Sequence, residues 1–117
     1  MRIECSDGYY DGDVNCWNEP HGEGTYHWRN GEKYSGQFVR GKRTGEGTFY
    51  RNNGDEYSGT FNDGRKVGKG VYTWKNGDRF EGRWENSVRT GKGVWYYASD
   101  GAVVYGEYVN GEWISEK

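Results

Sequence analysis

Aromatic and polar positions alternate along the chain in short runs that recur with a fixed period. In KYSGQF (Lys33 to Phe38), Tyr34, Gly36 and Phe38 share one face of an extended strand, and Ser35 and Gln37 share the other. The same alternation returns as Tyr57, Gly59, Phe61, then Phe80, Gly82, Trp84, then Val104, Gly106, Tyr108. A second run, GEGTFY (Gly45 to Tyr50), places Gly45, Gly47 and Phe49 on one face and Glu46 and Thr48 on the other. Tyr26 and Trp28, Tyr72 and Trp74, and Trp95 and Tyr97 hold the matching places elsewhere. No segment shows the 3.6-residue apolar period of a helix, so each period predicts two short strands.

Glycine fixes the period. Turn-type triplets end at Gly8, Gly31, Gly54, Gly77 and Gly101, separated by 23, 23, 23 and 24 residues. A Gly-x-Gly pair recurs at Gly22-Gly24, Gly45-Gly47, Gly68-Gly70 and Gly91-Gly93. The Asn-Asn-Gly and Lys-Asn-Gly ends tolerate positive φ and predict tight hairpin turns. The VRGKRT type of segment predicts a longer loop on the other edge. Gly8 is preceded by RIEC, a lone second strand, and VYGEYV near the end is a lone first strand. GEWISEK then covers the last edge, with Trp113 packed against it.

The expected fold class is all-β: an elongated, twisted, single-layer antiparallel sheet of tandem β-hairpins. About ten strands at ~4.8 Å each give a sheet ~45–50 Å long. One domain spans 1–117, with a half repeat 1–8, repeats 9–31, 32–54, 55–77 and 78–101, and a terminal half repeat and cap 102–117. Contacts in such an array run only between neighbours. Glycine within a strand costs roughly 0.5–1 kcal/mol against Ala. A ring lying flat over a neighbouring strand's glycine offsets that cost by screening the bare backbone.

Composition narrows the picture. The 117 residues carry 16 Lys and Arg against 18 Asp and Glu, a net charge of -2, which gives no reason to expect a nucleic-acid partner. Apolar residues are only 32%, yet aromatics reach 18%, which together with the periodic glycines argues against disorder. The first residues lack the apolar run of a secretory signal, and no stretch of 18 apolar residues occurs. The expectation is a cytoplasmic protein in which Cys5 and Cys16 are free thiols. No catalytic, metal or cofactor site is expected. His27 falls on the polar face, Cys16 and His21 lack a motif, and the recurring Gly-Glu-Gly and Gly-Lys-Gly units follow strand geometry rather than a phosphate loop.

YSGQFVRGKRTGEGTF, YSGTFNDGRKVGKGVY and FEGRWENSVRTGKGVW resemble the MORN repeat. The resemblance runs from Tyr9 to Gly111. It departs at Ser87, which replaces the mid-loop glycine, and at NCWNEPHG in the first repeat. It implies an elongated sheet of hairpins acting as an interaction or scaffold module, with a link to phospholipid membranes in some members. GVWYYASDGA is also similar to the aromatic-glycine repeats of cell-wall choline and glucan binders, which belong to secreted proteins.

Three binding readings follow. In the first, the aromatic-glycine face is a groove for a protein or peptide, with Trp28, Tyr34, Tyr57, Trp74, Phe80 and Tyr97 as its open part; packing of the same rings as core is the competing reading. In the second, Arg40, Lys42, Arg43, Arg65, Lys66 and Arg89 form a basic edge facing anionic lipid, against the alternative of a solvated edge. In the third, a small ligand is held between rings and arginines. Open sheet ends also allow two copies to pair edge to edge.

Overall fold

The computed structural model describes residues 1–115. They form one open antiparallel sheet of eleven strands, each paired only with its neighbours in sequence. The strands are β1 (Arg2–Cys5), β2 (Gly8–Val14), β3 (Pro20–Trp28), β4 (Lys33–Val39), β5 (Lys42–Tyr50), β6 (Glu56–Asn62), β7 (Arg65–Thr73), β8 (Arg79–Glu85), β9 (Val88–Tyr96), β10 (Val103–Val109) and β11 (Glu112–Ser115). The molecule measures 53 × 24 × 19 Å. The count exceeds the expected ten because Glu112–Ser115 pairs with β10 as a strand of its own. The remainder of that cap, Glu116 and Lys117, lies outside the described residues. There is no helix among the described residues, and so none that could cross a membrane.

The two ends of each hairpin are the reverse of what the turn residues suggest. The segment read as a longer loop is a two-residue turn: Arg40-Gly41, Asp63-Gly64, Asn86-Ser87 and Asn110-Gly111. Both residues of each turn have positive φ, as at Arg40 (49°) and Gly41 (83°). That is the turn whose twist matches the flanking strands. The Asn-Asn-Gly end, read as the tight turn, belongs to the five-residue connection Arg51–Asp55. It is closed by the Arg51 N–H to the Asp55 carbonyl at 2.8 Å and the Gly54 N–H to the Arg51 carbonyl at 3.2 Å.

The strands of a hairpin are unequal. Gly36 pairs with Gly47 and Phe38 with Arg43, so Thr44, Gly45 and Glu46 together oppose Gln37. The same excess of two residues recurs in the β2–β3, β6–β7 and β8–β9 pairs. A slip of one would exchange the faces, whereas an excess of two preserves them. Arg43 therefore returns to the face of Gly47 and Phe49. The bulge needs a left-handed residue, supplied by Gly45 at φ 103° and its counterparts Gly22, Gly68 and Gly91. Gly45 is thus a bulge residue and not a slot beneath a ring. A Cβ there would meet the Gln37 side chain, whose Oε1 accepts the Glu46 N–H at 2.8 Å.

The second glycine of each pair does make the slot. Gly12, Gly24, Gly36, Gly47, Gly59, Gly70, Gly82, Gly93 and Gly106 stand side by side across β2–β10. Tyr10, Tyr34, Tyr57 and Phe80 each lie over one pair of them and are at most 1% exposed. A Cβ on Gly47 would stand within 2.5 Å of Tyr34 Cε2, and one on Gly70 within 2.5 Å of Tyr57 Cζ. The first-strand aromatics stand between these flat rings, edge to face. Tyr10–Phe38–Tyr34–Phe61–Tyr57–Trp84–Phe80–Tyr108 runs unbroken, with centroids 4.9–5.5 Å apart and planes 72–89° to one another. Such pairs contribute about 0.5–1.5 kcal/mol beyond their burial. These eight rings are the buried core. In the last hairpin Val104 stands where the flat ring belongs, and Trp113 closes over Gly106 instead, 5.1 Å from Tyr108 and 5.8 Å from Phe80.

Candidate functional site

The aromatic face is mostly closed. Tyr34, Tyr57 and Phe80, expected in its open part, are its most buried members, because a glycine slot lets a ring lie flat and the next ring covers it. Trp28 and Trp74 are half-buried in an outer tier, Trp28 against Tyr26 and Phe49, Trp74 stacked on Trp95 at 4.7 Å. Of the six, only Tyr97, stacked on Trp95, is exposed, at 37%. Burial pushes the Tyr34 and Tyr57 hydroxyls up to about 12, against the opposing Arg43 charge at Tyr34. The Tyr10 and Tyr34 hydroxyls donate to the Asp13 and Gln37 carbonyls at 2.6 and 2.9 Å. The Tyr57 hydroxyl is fully buried beside the Thr60 backbone and makes no hydrogen bond of good geometry.

The six basic residues do not form one ridge. Arg43, Lys66 and Arg89 take the same place in successive hairpins, opposite Phe38, Phe61 and Trp84 on the aromatic face. Arg43 lies 5.3 Å from the Phe49 ring, Lys66 5.1 Å from Tyr57 and Arg89 4.9 Å from Tyr108. The two-residue turns produce this, since they set these cations on the ring-bearing parity of the strand. Arg40, Lys42 and Arg65 remain outside at the turns, with Lys42 in an ion pair with Asp63 at 2.8 Å. Burial first, then the charges of Arg51, Arg43 and Arg89, holds the Lys66 ammonium below its ordinary range.

The opposite face carries a groove that the ring pattern gave no reason to choose. It crosses β5–β10 with a volume of about 650 Å³, and its floor is the bare backbone of Gly59, Gly70, Gly82, Gly93 and Gly106. Ser58, Val71, Glu81, Val94 and Tyr105 follow one another as direct cross-strand partners along one side. Glu46, Thr60, Lys69, Arg83 and Lys92 form the other. Lys69 stands directly opposite Arg83, a like-charge pairing that sheets disfavour. Among the described residues none of Lys69, Arg83 and Lys92 is in an ion pair. Tyr105 is 59% exposed. The alternation of Ser58, Thr60, Glu81 and Arg83 was legible as a polar face; the trough between its two rows of side chains was not, since it depends on how the sheet curves.

Successive hairpins are latched at the long connections. The Asp55 carboxylate accepts the Lys75 N–H at 2.9 Å, the Tyr72 hydroxyl at 2.8 Å and the Asn53 amide at 3.3 Å. Burial alone would push this carboxyl up, but those donors and Arg51 outweigh it and hold it below the usual carboxylate range. Asp78 repeats the contact with the Ala98 N–H at 2.9 Å. His27 stacks on Tyr9 at 4.5 Å, and the His21 Nδ1 accepts the Arg40 N–H at 3.3 Å. Cys5 and Cys16 are free thiols. Among the described residues no group of three or more His, Cys, Asp or Glu could hold a metal ion.

An open array of hairpins that buries rings against its own glycines, with a groove on the other face, defines a non-closed β-repeat protein. The family model of the MORN repeat matches residues 17–33, 34–56, 57–79 and 80–102, and the chain belongs to the MORN repeat family. That is a non-enzymatic repeat family whose units commonly serve as protein- or membrane-binding modules. No curated protein matches the chain.

Proposed function

We propose that the chain is a non-catalytic scaffold module that holds a protein or peptide segment in the groove across β5–β10. The observation that supports this most is the glycine floor. Five bare backbones in a row admit a chain lying across the strands, and Val71, Val94 and Tyr105 beside them offer it apolar contact. Lys69, Arg83 and Lys92, in no ion pair among the described residues, outnumber the lining carboxylates Glu46 and Glu81 and favour an occupant with carboxylates next to its apolar side chains. A cytoplasmic setting suits a module with free thiols. The lipid reading is weaker in its original form: with Arg43, Lys66 and Arg89 over rings and Lys42 paired, Arg40 and Arg65 alone remain for a ridge. Pairing of two copies edge to edge would use β1 and β11, each four residues long.

A photoreactive residue placed singly at Val71, Val94 or Asn52 tests the reading. Partner cross-links from Val71 and Val94 but not Asn52 are expected, and Val71→Arg should reduce capture without loss of fold. Cross-links from Asn52 with none from the groove would refute it.

A further inference from the structure

We propose that the cavity between Arg43, Arg51 and Lys66 on the aromatic face binds a phosphate-class oxyanion. The cavity has a volume of about 240 Å³ and is walled by Phe49 and Phe61. Residues 28, 51, 74 and 97 hold equivalent places, 23 residues apart, and three of the four are rings: Trp28, Trp74 and Tyr97. Arg51 breaks that rule. The outer ring tier breaks with it, into Tyr26–Trp28–Phe49 on one side and Tyr72–Trp74–Trp95–Tyr97 on the other. The cavity holds that gap. A sheet that needed only a core would continue the ring, because a cation there gives up stacking and repels two other cations.

The groups that converge on the gap have unused capacity. Lys66 is half-buried, lies between the Tyr57 and Tyr72 rings, and among the described residues has no carboxylate within ion-pair distance. Burial first, and then the charges of Arg51, Arg43 and Arg89, lowers its basicity, and those three cations surround it with positive charge. Arg43 donates to the Gly64 carbonyl at 3.0 Å, and among the described residues its other N–H groups have no acceptor. Arg51, at the exposed mouth, makes only long side-chain contacts among the described residues, 3.5 Å to the Tyr72 hydroxyl and 3.9 Å to Glu32. Glu32 is the one carboxylate in the lining, against three cations. Asp55, next to Arg51, is already engaged by Tyr72, Lys75 and Asn53. Two guanidinium forks and an ammonium suit a multiply charged tetrahedral oxyanion, which can accept from all three at once, better than a halide.

Thermal unfolding of the whole chain in inorganic phosphate and in sodium chloride of equal ionic strength tests this. Phosphate is expected to raise Tm above the chloride value. Arg51→Trp, which restores the ring of the other repeats, and Lys66→Met should each weaken phosphate binding at least about tenfold. Both variants should keep the wild-type far-UV circular dichroism and a single cooperative transition in chloride, so a lost response is not misfolding. Phosphate no better than chloride for the wild type, or an undiminished response in both variants, overturns the proposal. Sedimentation with phosphatidylcholine vesicles, with and without phosphatidic acid, then assigns the source. Sedimentation that needs Lys66 places the phosphate on a lipid headgroup. Phosphate binding without sedimentation places it on a soluble ester.

Discussion

Tyr34 and Tyr57 occupy the same place in successive hairpins and differ in one hydrogen bond. The Tyr34 hydroxyl donates to the Gln37 carbonyl at 2.9 Å, whereas the Tyr57 hydroxyl is buried without a partner of good geometry. Tyr34→Phe removes a bond and strands a carbonyl, which costs about 1 kcal/mol. Tyr57→Phe removes a hydroxyl that has lost its hydration for nothing, so it should be neutral or stabilise by up to about 1 kcal/mol. Phe80, flat over Gly82 and Gly93, shows that a ring without a hydroxyl fits the slot. Urea unfolding at neutral pH, followed by tryptophan fluorescence, measures both changes. The expected pattern is a lower midpoint for Tyr34→Phe and an unchanged or higher one for Tyr57→Phe, at unchanged slope. No loss in either variant would show that the Tyr34 hydrogen bond contributes nothing. A loss of about 1 kcal/mol or more for Tyr57→Phe would show that its hydroxyl is bonded after all.

Two further outcomes follow from the same packing. Gly70→Ala drives a methyl into the Tyr57 ring, which Phe61 and Trp84 prevent from moving; a loss of about 1–3 kcal/mol is expected by urea unfolding, against little change for Val71→Ala on the other face. The Asp55 carboxyl is held below its ordinary value, so its stabilisation is complete above the unfolded-state pKa of about 3.9 and is lost as pH falls through the lowered folded value. Asp55→Asn should therefore unfold more readily than the wild type at neutral pH and converge with it in acid; a constant difference down to the lowest pH would remove the carboxylate from the latch.

The glycine spacing alone sufficed for the hairpin array and for the face on which rings and glycines meet, because period-two alternation and a fixed repeat leave little freedom. Turn type was misread: Asp63-Gly64 and Asn110-Gly111 are pairs that favour a two-residue turn, and they went unused. Asn-Asn-Gly looks like a two-residue turn, while Arg40, which adopts φ 49°, gives no local sign of doing so. That error carried over to the cations, since Arg43, Lys66 and Arg89 read as loop residues until a two-residue turn places them on the ring face. The two glycines of each Gly-x-Gly pair also look alike in sequence, and only pairing separates the bulge at Gly45 from the slot at Gly47. Which rings stay open depends on how flat each can lie, and flatness is a property of the slot rather than of the ring. The groove escaped notice because it lies between two rows of polar-face side chains, and a trough between rows leaves no mark in the alternation itself.

The division of the sheet into a closed aromatic face and an open glycine-floored one can be measured directly by hydroxyl-radical footprinting of the free protein. Tyr105, 59% exposed beside the groove, should be labelled rapidly, while Tyr34 and Tyr57, at 0% and 1%, should remain unlabelled. Rapid labelling of Tyr34 and Tyr57 with protection of Tyr105 would mean that the aromatic face is the open one, and the binding groove would have to be sought there.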